Sequence, residues 1–142
     1  MLFILLSLTL FIWMVATFDA DIGFRKLDSL EKAKGTETGP LLSVIVAARN
    51  EENRIKQSIQ SQLGQTYQEV EWILVNDRSE DATGRMMEEL QESDSRVRVV
   101  HIDSLPDGWV GKNYALYKGS QHASGKLLLF TDADVMYSDE AF

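Results

Sequence analysis

The chain has 142 residues, 44% of them hydrophobic and 25% charged, with a formal net charge of -8. That balance describes a globular chain, and the negative charge excludes the basic face that broad nucleic-acid binding needs. Cysteine is absent, so there is neither a disulfide framework nor a thiolate metal site.

Residues 1–18 carry no charged side chain and are dominated by Leu, Phe, Ile, Val, Trp and Met. As a helix they would run for about 27 Å, just short of a hydrocarbon core of about 30 Å. A cleaved signal peptide would want a basic start and a small-x-small cleavage site, yet no Lys or Arg precedes the apolar run. The expectation is an uncleaved transmembrane anchor over 1–18. Arg25, Lys26, Lys32 and Lys34 follow it, which by the positive-inside tendency puts the rest of the chain on the cytoplasmic side of a cell membrane. Residues 19–40 are charged, end in Gly35-Thr36-Glu37-Thr38-Gly39-Pro40, and read as a juxtamembrane linker closed by breakers.

From Leu41 the pattern alternates between strand and helix. Leu41–Ala48 is a nearly continuous apolar run, as in a strand covered on both faces, and stops at Arg49-Asn50-Glu51-Glu52. Ile55, Ile59 and Leu63 form one helical stripe. A turn over 64–68 leads to a second strand, Val70–Val75, which ends at Asn76-Asp77-Arg78-Ser79. Ser79 or Asp81 is placed to cap the next helix, with Met86, Met87 and Leu90 as its apolar contacts. Val97–Ile102 is the third strand. A loop with Pro106, Gly108 and Gly111 precedes a helix over 112–123, and Lys126–Thr131 is the fourth strand. This order predicts a mostly parallel α/β sheet with helices on both faces.

Ligands of such sheets sit at the carboxyl ends of the strands. Arg49, Asn50 and Glu51 follow strand one, Asp77 follows strand two, and Asp132 and Asp134 follow strand four. Residues two apart in a strand point to one side, so Asp132 and Asp134 can share a hard cation carrying phosphate oxygens. The plain alternative is an Asp-rich turn. In Asp107–Asn113 the glycines allow close backbone approach to phosphate, and Lys112, near a helix start, can meet its charge; a surface loop with an aromatic plug is the plainer reading. No Gly-x-Gly-x-x-Gly or P-loop pattern is present, which removes the dinucleotide and Walker readings. His101 and His122 read as structural or surface residues, and Trp72 as core.

Ser43-Val44-Ile45-Val46-Ala47-Ala48-Arg49-Asn50-Glu51-Glu52, Val75-Asn76-Asp77-Arg78-Ser79-Glu80-Asp81-Ala82-Thr83 and Thr131-Asp132-Ala133-Asp134 together resemble a family 2 glycosyltransferase. The resemblance runs from Leu41 to the end. It implies a GT-A fold, Rossmann-like, whose amino-terminal half binds a nucleotide-diphosphate sugar. It places Ala47, Arg49, Asn50 and Glu51 against the base and ribose, and Asp77 on the base, usually uracil, hence a UDP-sugar donor. It places Asp134 on a divalent metal, Mg²⁺ or Mn²⁺, and Asp132 near the ribose or the metal. Asn76 stands where the family often has a first Asp, and Arg78 where it often has Gly. The segment from Asp107 to Ala123 is similar to a bacterial membrane-associated branch linked to carotenoid and hopanoid pathways, which points to a lipid acceptor.

The implied activity is metal-assisted sugar transfer of hexosyltransferase type, inverting by resemblance. The acceptor site and catalytic base are expected beyond Phe142, so residues 41–142 are read as the first part of a longer domain that transfers nothing alone. Two rivals stand beside this reading. A strand ending in Asp-x-Asp also occurs in haloacid-dehalogenase-like phosphatases, where the first Asp is a nucleophile, although that motif normally opens its domain. A non-catalytic, membrane-tethered nucleotide-binding module is the other.

Overall fold

The computed structural model describes residues 9, 12–15, 17, 18 and 38–138. The chain divides into two units, Met1–Lys34 and Gly35–Phe142. In the first, the described residues are helical, and Thr17 Oγ1 donates to the Trp13 carbonyl at 2.9 Å. Among the described residues no helix is long and apolar enough to cross a membrane. Most of the expected anchor over 1–18, and nearly all of the linker over 19–40, lie outside the described residues.

The second unit carries the alternating pattern. Strand β1 is Leu42–Ala48, helix α1 Ile55–Leu63, β2 Val70–Asp77, α2 Thr83–Ser93, β3 Val97–Ile102, α3 Gly111–Ser120 and β4 Leu127–Asp132. The four strands form one parallel sheet in the order β3-β2-β1-β4. Each crossover between parallel strands needs a helix, and α1, α2 and α3 supply the three.

The apolar alternation within each strand divides the core. Val44, Val46, Trp72 and Leu74 face Ile55 and Ile59 of α1 and Met87 and Leu90 of α2. Ile45, Ile73 and Val75 face the α3 side, with Ala115 and Ile102. Period-2 side chains on strands that are covered on both faces need apolar residues at every position, which is why β1 and β2 read as continuous runs. Helix α3 comes very close to the sheet at Gly119, where an added Cβ would stand 2.5 Å from Ile45 Cγ2 and 2.9 Å from Val75 Cγ2.

Three features differ from the sequence reading. Strand β2 continues through Asn76 and Asp77, because β3 offers them partners in register, Asn76 with His101 and Asp77 with Ile102. Strand β4 extends through Asp132, which pairs with Ala47, while Asp134 lies in the turn beyond it. The two carboxylates are therefore gathered by a strand end and a turn, not by strand alternation. Finally, β4 is an edge strand whose Leu127, Leu128 and Phe130 are about half exposed, although their apolar run resembles that of a buried strand.

The polar face of α1 has a use that its apolar stripe does not announce. Ser58 Oγ and Gln62 Nε2 both donate to the Val135 carbonyl, at 2.7 and 3.2 Å. Gln65 Nε2 donates to the Ser138 carbonyl at 2.7 Å, and the Tyr137 amide donates to Ser61 Oγ at 3.1 Å. The extended segment after Asp134 has no strand partner and is tied to α1 through these bonds. Buried Ser58 and Gln65 and the Nε2 of buried Gln62 thereby find partners, as buried polar groups generally do, while Gln62 Oε1 is left without one.

Candidate active site

The carboxyl ends of the central strands converge where the topology reverses. Strand β1 lies between β2 and β4, so the chain leaves β1 toward one side and reaches β4 on the other. Such a switch point opens a crevice. Here it is a cavity of about 500 Å³, which Ala47, Arg49 and Glu51 line from the end of β1 and Asp77 from the end of β2. Lys112, on the first turn of α3, closes another side, and Asp132 and Asp134 complete the wall at the end of β4 and in the turn after it. Seven of the eight residues singled out from the sequence are thus brought to one cavity. Ala48, Gly111 and Ala133 line it as well; none of the three carries a side-chain group that would mark it in a sequence.

Asn50 is the exception. It stands in the left-handed region at φ 56°, a conformation that Asn tolerates better than most residues. Its Oδ1 accepts from the Glu80 amide at 2.9 Å while its own amide donates to Ser79 Oγ at 3.1 Å. The same two loops are joined by the Glu51 amide donating to Thr83 Oγ1 at 2.7 Å and the Glu52 amide donating to Asp81 Oδ2 at 3.2 Å. In return, the Ala82 amide donates to Glu52 Oε2 at 3.0 Å. Asn50 therefore holds the β1 and β2 loops together and does not line the cavity. Of the two expected caps, Ser79 and Asp81, neither holds the N-cap position, which falls to Ala82, but Asp81 accepts the Thr83 amide at 2.9 Å; burial pushes its carboxyl up, but the bonds from Thr83 and Glu52 outweigh that and hold it below its ordinary value.

Three ion pairs organise the charges. Lys112 Nζ lies 2.5 Å from Asp132 Oδ1, and Arg54 Nη1 lies 3.4 Å from Asp134 Oδ2. Both pairs are substantially exposed, so each contributes little to stability. The third is different: Arg78 Nε donates to Asp77 Oδ1 at 2.8 Å and its Nη2 to Asp77 Oδ2 at 3.2 Å, and Asp77 is buried. Arg54 escaped the sequence reading, because one arginine before a helix carries no local signal of what it faces across the sheet. Asn76 Oδ1 accepts the Ser79 amide at 3.2 Å and its Nδ2 faces His101 Nδ1 at 3.1 Å. Asn76 lies in β2 and braces the turn that follows it, and His101, exposed and 3.2 Å from Glu88, is a surface residue at the end of β3.

Among the described residues no group of three or more His, Cys, Asp or Glu side chains is placed to hold a metal ion. Asp132, the last residue of β4, and Asp134, in the turn after it, are two carboxylates of the cavity wall. Lys112 takes one oxygen of Asp132 and Arg54 one of Asp134; the second oxygen of each is a hard donor of the kind that a divalent cation combines with phosphate and water, so the donor set fits a metal shared with a ligand.

The sequence matches the profile of Glycosyl transferase family 2 over residues 43–142. The chain belongs to glycosyltransferase family 2. Among curated relatives, the 4,4'-diaponeurosporenoate glycosyltransferase of Staphylococcus haemolyticus is 37% identical over 116 residues, 82% of this chain and 30% of that protein. The protein of the same name from Staphylococcus aureus is 36% identical over 96 residues, 68% of this chain and 24% of that one. This family member thus spans about 30% of the length of the former relative. Among solved structures, the mannosyltransferase PcManGT from Pyrobaculum calidifontis, in complex with GDP-Man and Mn²⁺, superposes with a TM-score of 0.68 at 22% identity, over 87% of this chain and 35% of that one. TarS 1-349 of S. aureus in complex with UDP-GlcNAc gives 0.57 at 26% identity, over 66% and 26%. The mostly parallel α/β sheet resembles that of GT-A glycosyltransferases. Membership does not favour the phosphatase reading, and Asp132 closes the fourth strand, whereas a phosphatase nucleophile would open the domain.

Proposed function

We propose that the whole protein transfers a sugar from a nucleoside-diphosphate sugar to an acceptor of lipid character, with a divalent cation, Mg²⁺ or Mn²⁺, held by Asp134 and Asp132. The observation that carries this reading is the gathering of Asp77, Lys112, Asp132 and Asp134 around one cavity at the switch point of the sheet. The ligands bound by the structural neighbours, UDP-GlcNAc in one and GDP-Man with Mn²⁺ in the other, support the donor class and the metal. The carotenoid-type relatives support the lipid acceptor. The uncharged stretch 1–18 followed by basic residues supports a membrane location with the domain facing the cytoplasm.

In this reading Asp77, buried at the floor of the site, accepts from the nucleobase, and the β1 loop with Ala47, Arg49 and Glu51 flanks base and ribose. Lys112 meets phosphate charge, its ammonium already lying against the wall that Asp132 forms. When bound, the cation stabilises the negative charge that builds on the departing diphosphate. The acceptor hydroxyl attacks the anomeric carbon and the nucleoside diphosphate leaves, an inverting displacement in which a base takes the hydroxyl proton.

The test is calorimetric titration of the full-length protein with UDP and GDP, with and without MnCl₂. One of the two should bind, and Mn²⁺ should strengthen binding at least about tenfold, corresponding to about 1.4 kcal/mol. Asp134→Ala should abolish that enhancement. Metal-dependent binding that survives the substitution would remove Asp134 from the metal site, and absence of binding by both nucleotides would remove the reading itself.

A further inference from the structure

Asp77 is not an open carboxylate waiting for a ligand. Both of its oxygens are engaged by the guanidinium of the next residue, at 2.8 and 3.2 Å. A fork between sequence neighbours requires an unusual turn of the chain, and Arg78 provides it at φ 55°. That region disfavours any side chain with a Cβ, and Arg has no short polar group to compensate locally as Asn50 does. The pair is also closed from a third direction. A Cβ on Gly111, the first residue of α3, would stand 2.8 Å from Asp77 Oδ2 and 2.9 Å from Arg78 Nη2. Strand end, left-handed turn and helix start thus converge on one carboxylate, which still lines the cavity.

A carboxylate has about four lone-pair sites and a guanidinium five N–H donors. The fork uses two of each, so Asp77 keeps acceptor capacity and Arg78 keeps donors. Asp77 lines the cavity and Arg78 is not among its lining residues, so the guanidinium reaches a ligand only through the carboxylate that it holds. A planar bidentate pair also fixes the plane of the carboxylate, which a lone Asp on a strand end would not do.

Building on the nucleoside-diphosphate reading of the site, we propose that Arg78 is a positioning residue for donor recognition: its guanidinium fixes the plane of the Asp77 carboxylate that accepts from the nucleobase. Its effect is on the base and not on the diphosphate.

Arg78→Gly tests this on the full-length protein, because glycine accepts the left-handed turn and removes only the fork. The buried Asp77 carboxylate loses its cationic partner, so the melting temperature should fall, and binding is compared well below it. The dissociation constant for whichever of UDP and GDP the parent binds should increase about tenfold, the loss of a charge-assisted bond pair. Binding of Mn²⁺-pyrophosphate should be unchanged. Arg78→Lys, which keeps the charge without the fork, should recover less than half of the lost binding free energy. Unchanged nucleotide affinity in Arg78→Gly overturns the proposal, as does an equal weakening of nucleotide and pyrophosphate, which would mark simple charge attraction. If the parent binds neither UDP nor GDP, the functional reading fails first; if it binds one and the variant binds it equally, only the role of Arg78 fails.

Discussion

Replacing Gly119 by alanine sets two effects of known size against each other. In a solvent-facing helix, Gly to Ala stabilises by about 1 kcal/mol. At Gly119 the new methyl would stand 2.5 Å from Ile45 Cγ2 and 2.9 Å from Val75 Cγ2. Carbon atoms prefer about 3.5–4.0 Å, so α3 would have to lift by roughly 1 Å. Neither neighbour can yield, since Ile45 and Val75 are fully buried in β1 and β2. Overpacking of this kind costs about 1–3 kcal/mol. The overpacking wins, leaving a net loss of about 1 kcal/mol and a melting temperature about 4–8 °C lower for a domain of about 100 residues. The same displacement would carry Gly111 away from Asp77 and Arg78, and Lys112 away from Asp132, because all ride on α3. Thermal denaturation and nucleotide titration of Gly119→Ala therefore move together. A variant that melts higher than the parent would refute the close packing of α3 on the sheet and, with it, the coupling of that packing to the site.

Two further outcomes follow from other parts of the fold. Glu71 Oε1 accepts from Ser43 Oγ and the Ser124 amide, both at 2.6 Å. Burial pushes its carboxyl up, but these bonds, the Arg98 charge and the Gly125 amide hold it below its ordinary 4.5. A carboxyl depressed by folding stabilises above its unfolded value, and that contribution vanishes as the pH falls through the folded value. Glu71→Gln should therefore be less stable than the parent at pH 7, with the gap in urea midpoints closing as the pH falls below about 4; a gap independent of pH would contradict this. Ser58→Ala removes the shorter of two bonds to the Val135 carbonyl, next to Asp134. It should cost about 1 kcal/mol of stability and weaken Mn²⁺ binding several-fold by electron paramagnetic resonance titration. Unchanged Mn²⁺ affinity would show that α1 does not hold Asp134 in place.

The strand and helix order was open to sequence reading because each buried strand is bounded by turn chemistry and α1 and α2 carry apolar stripes. Val97–Ile102 and the stripe of Ile55 and Ile59 fall where the pattern places them. The end of β2 did not, since Asn76 and Asp77 are polar and only their partners on β3 keep them in the sheet. Arg49, Glu51, Asp77, Asp132 and Asp134 were legible because charges at the ends of apolar strands are conspicuous, and Lys112 because it follows a glycine-bearing loop at a helix start. Asn50 was legible for the same reason, yet its side chain joins two loops. The polar face of α1 and the position of Arg54 were not legible, because their partners lie 73 to 80 residues away in the chain.

By itself the sequence determined the alternating elements, the family and the set of polar residues at the strand ends, because those depend on local periodicity and on residue identity. Only the tertiary structure decided the strand order that opens the cavity and the division of labour among the charges. Lys112 meets Asp132, Arg54 meets Asp134 and Arg78 takes both oxygens of Asp77. Which cation meets which acid depends on distances of a few ångströms between elements remote in sequence, and packing of helices on the sheet sets those distances.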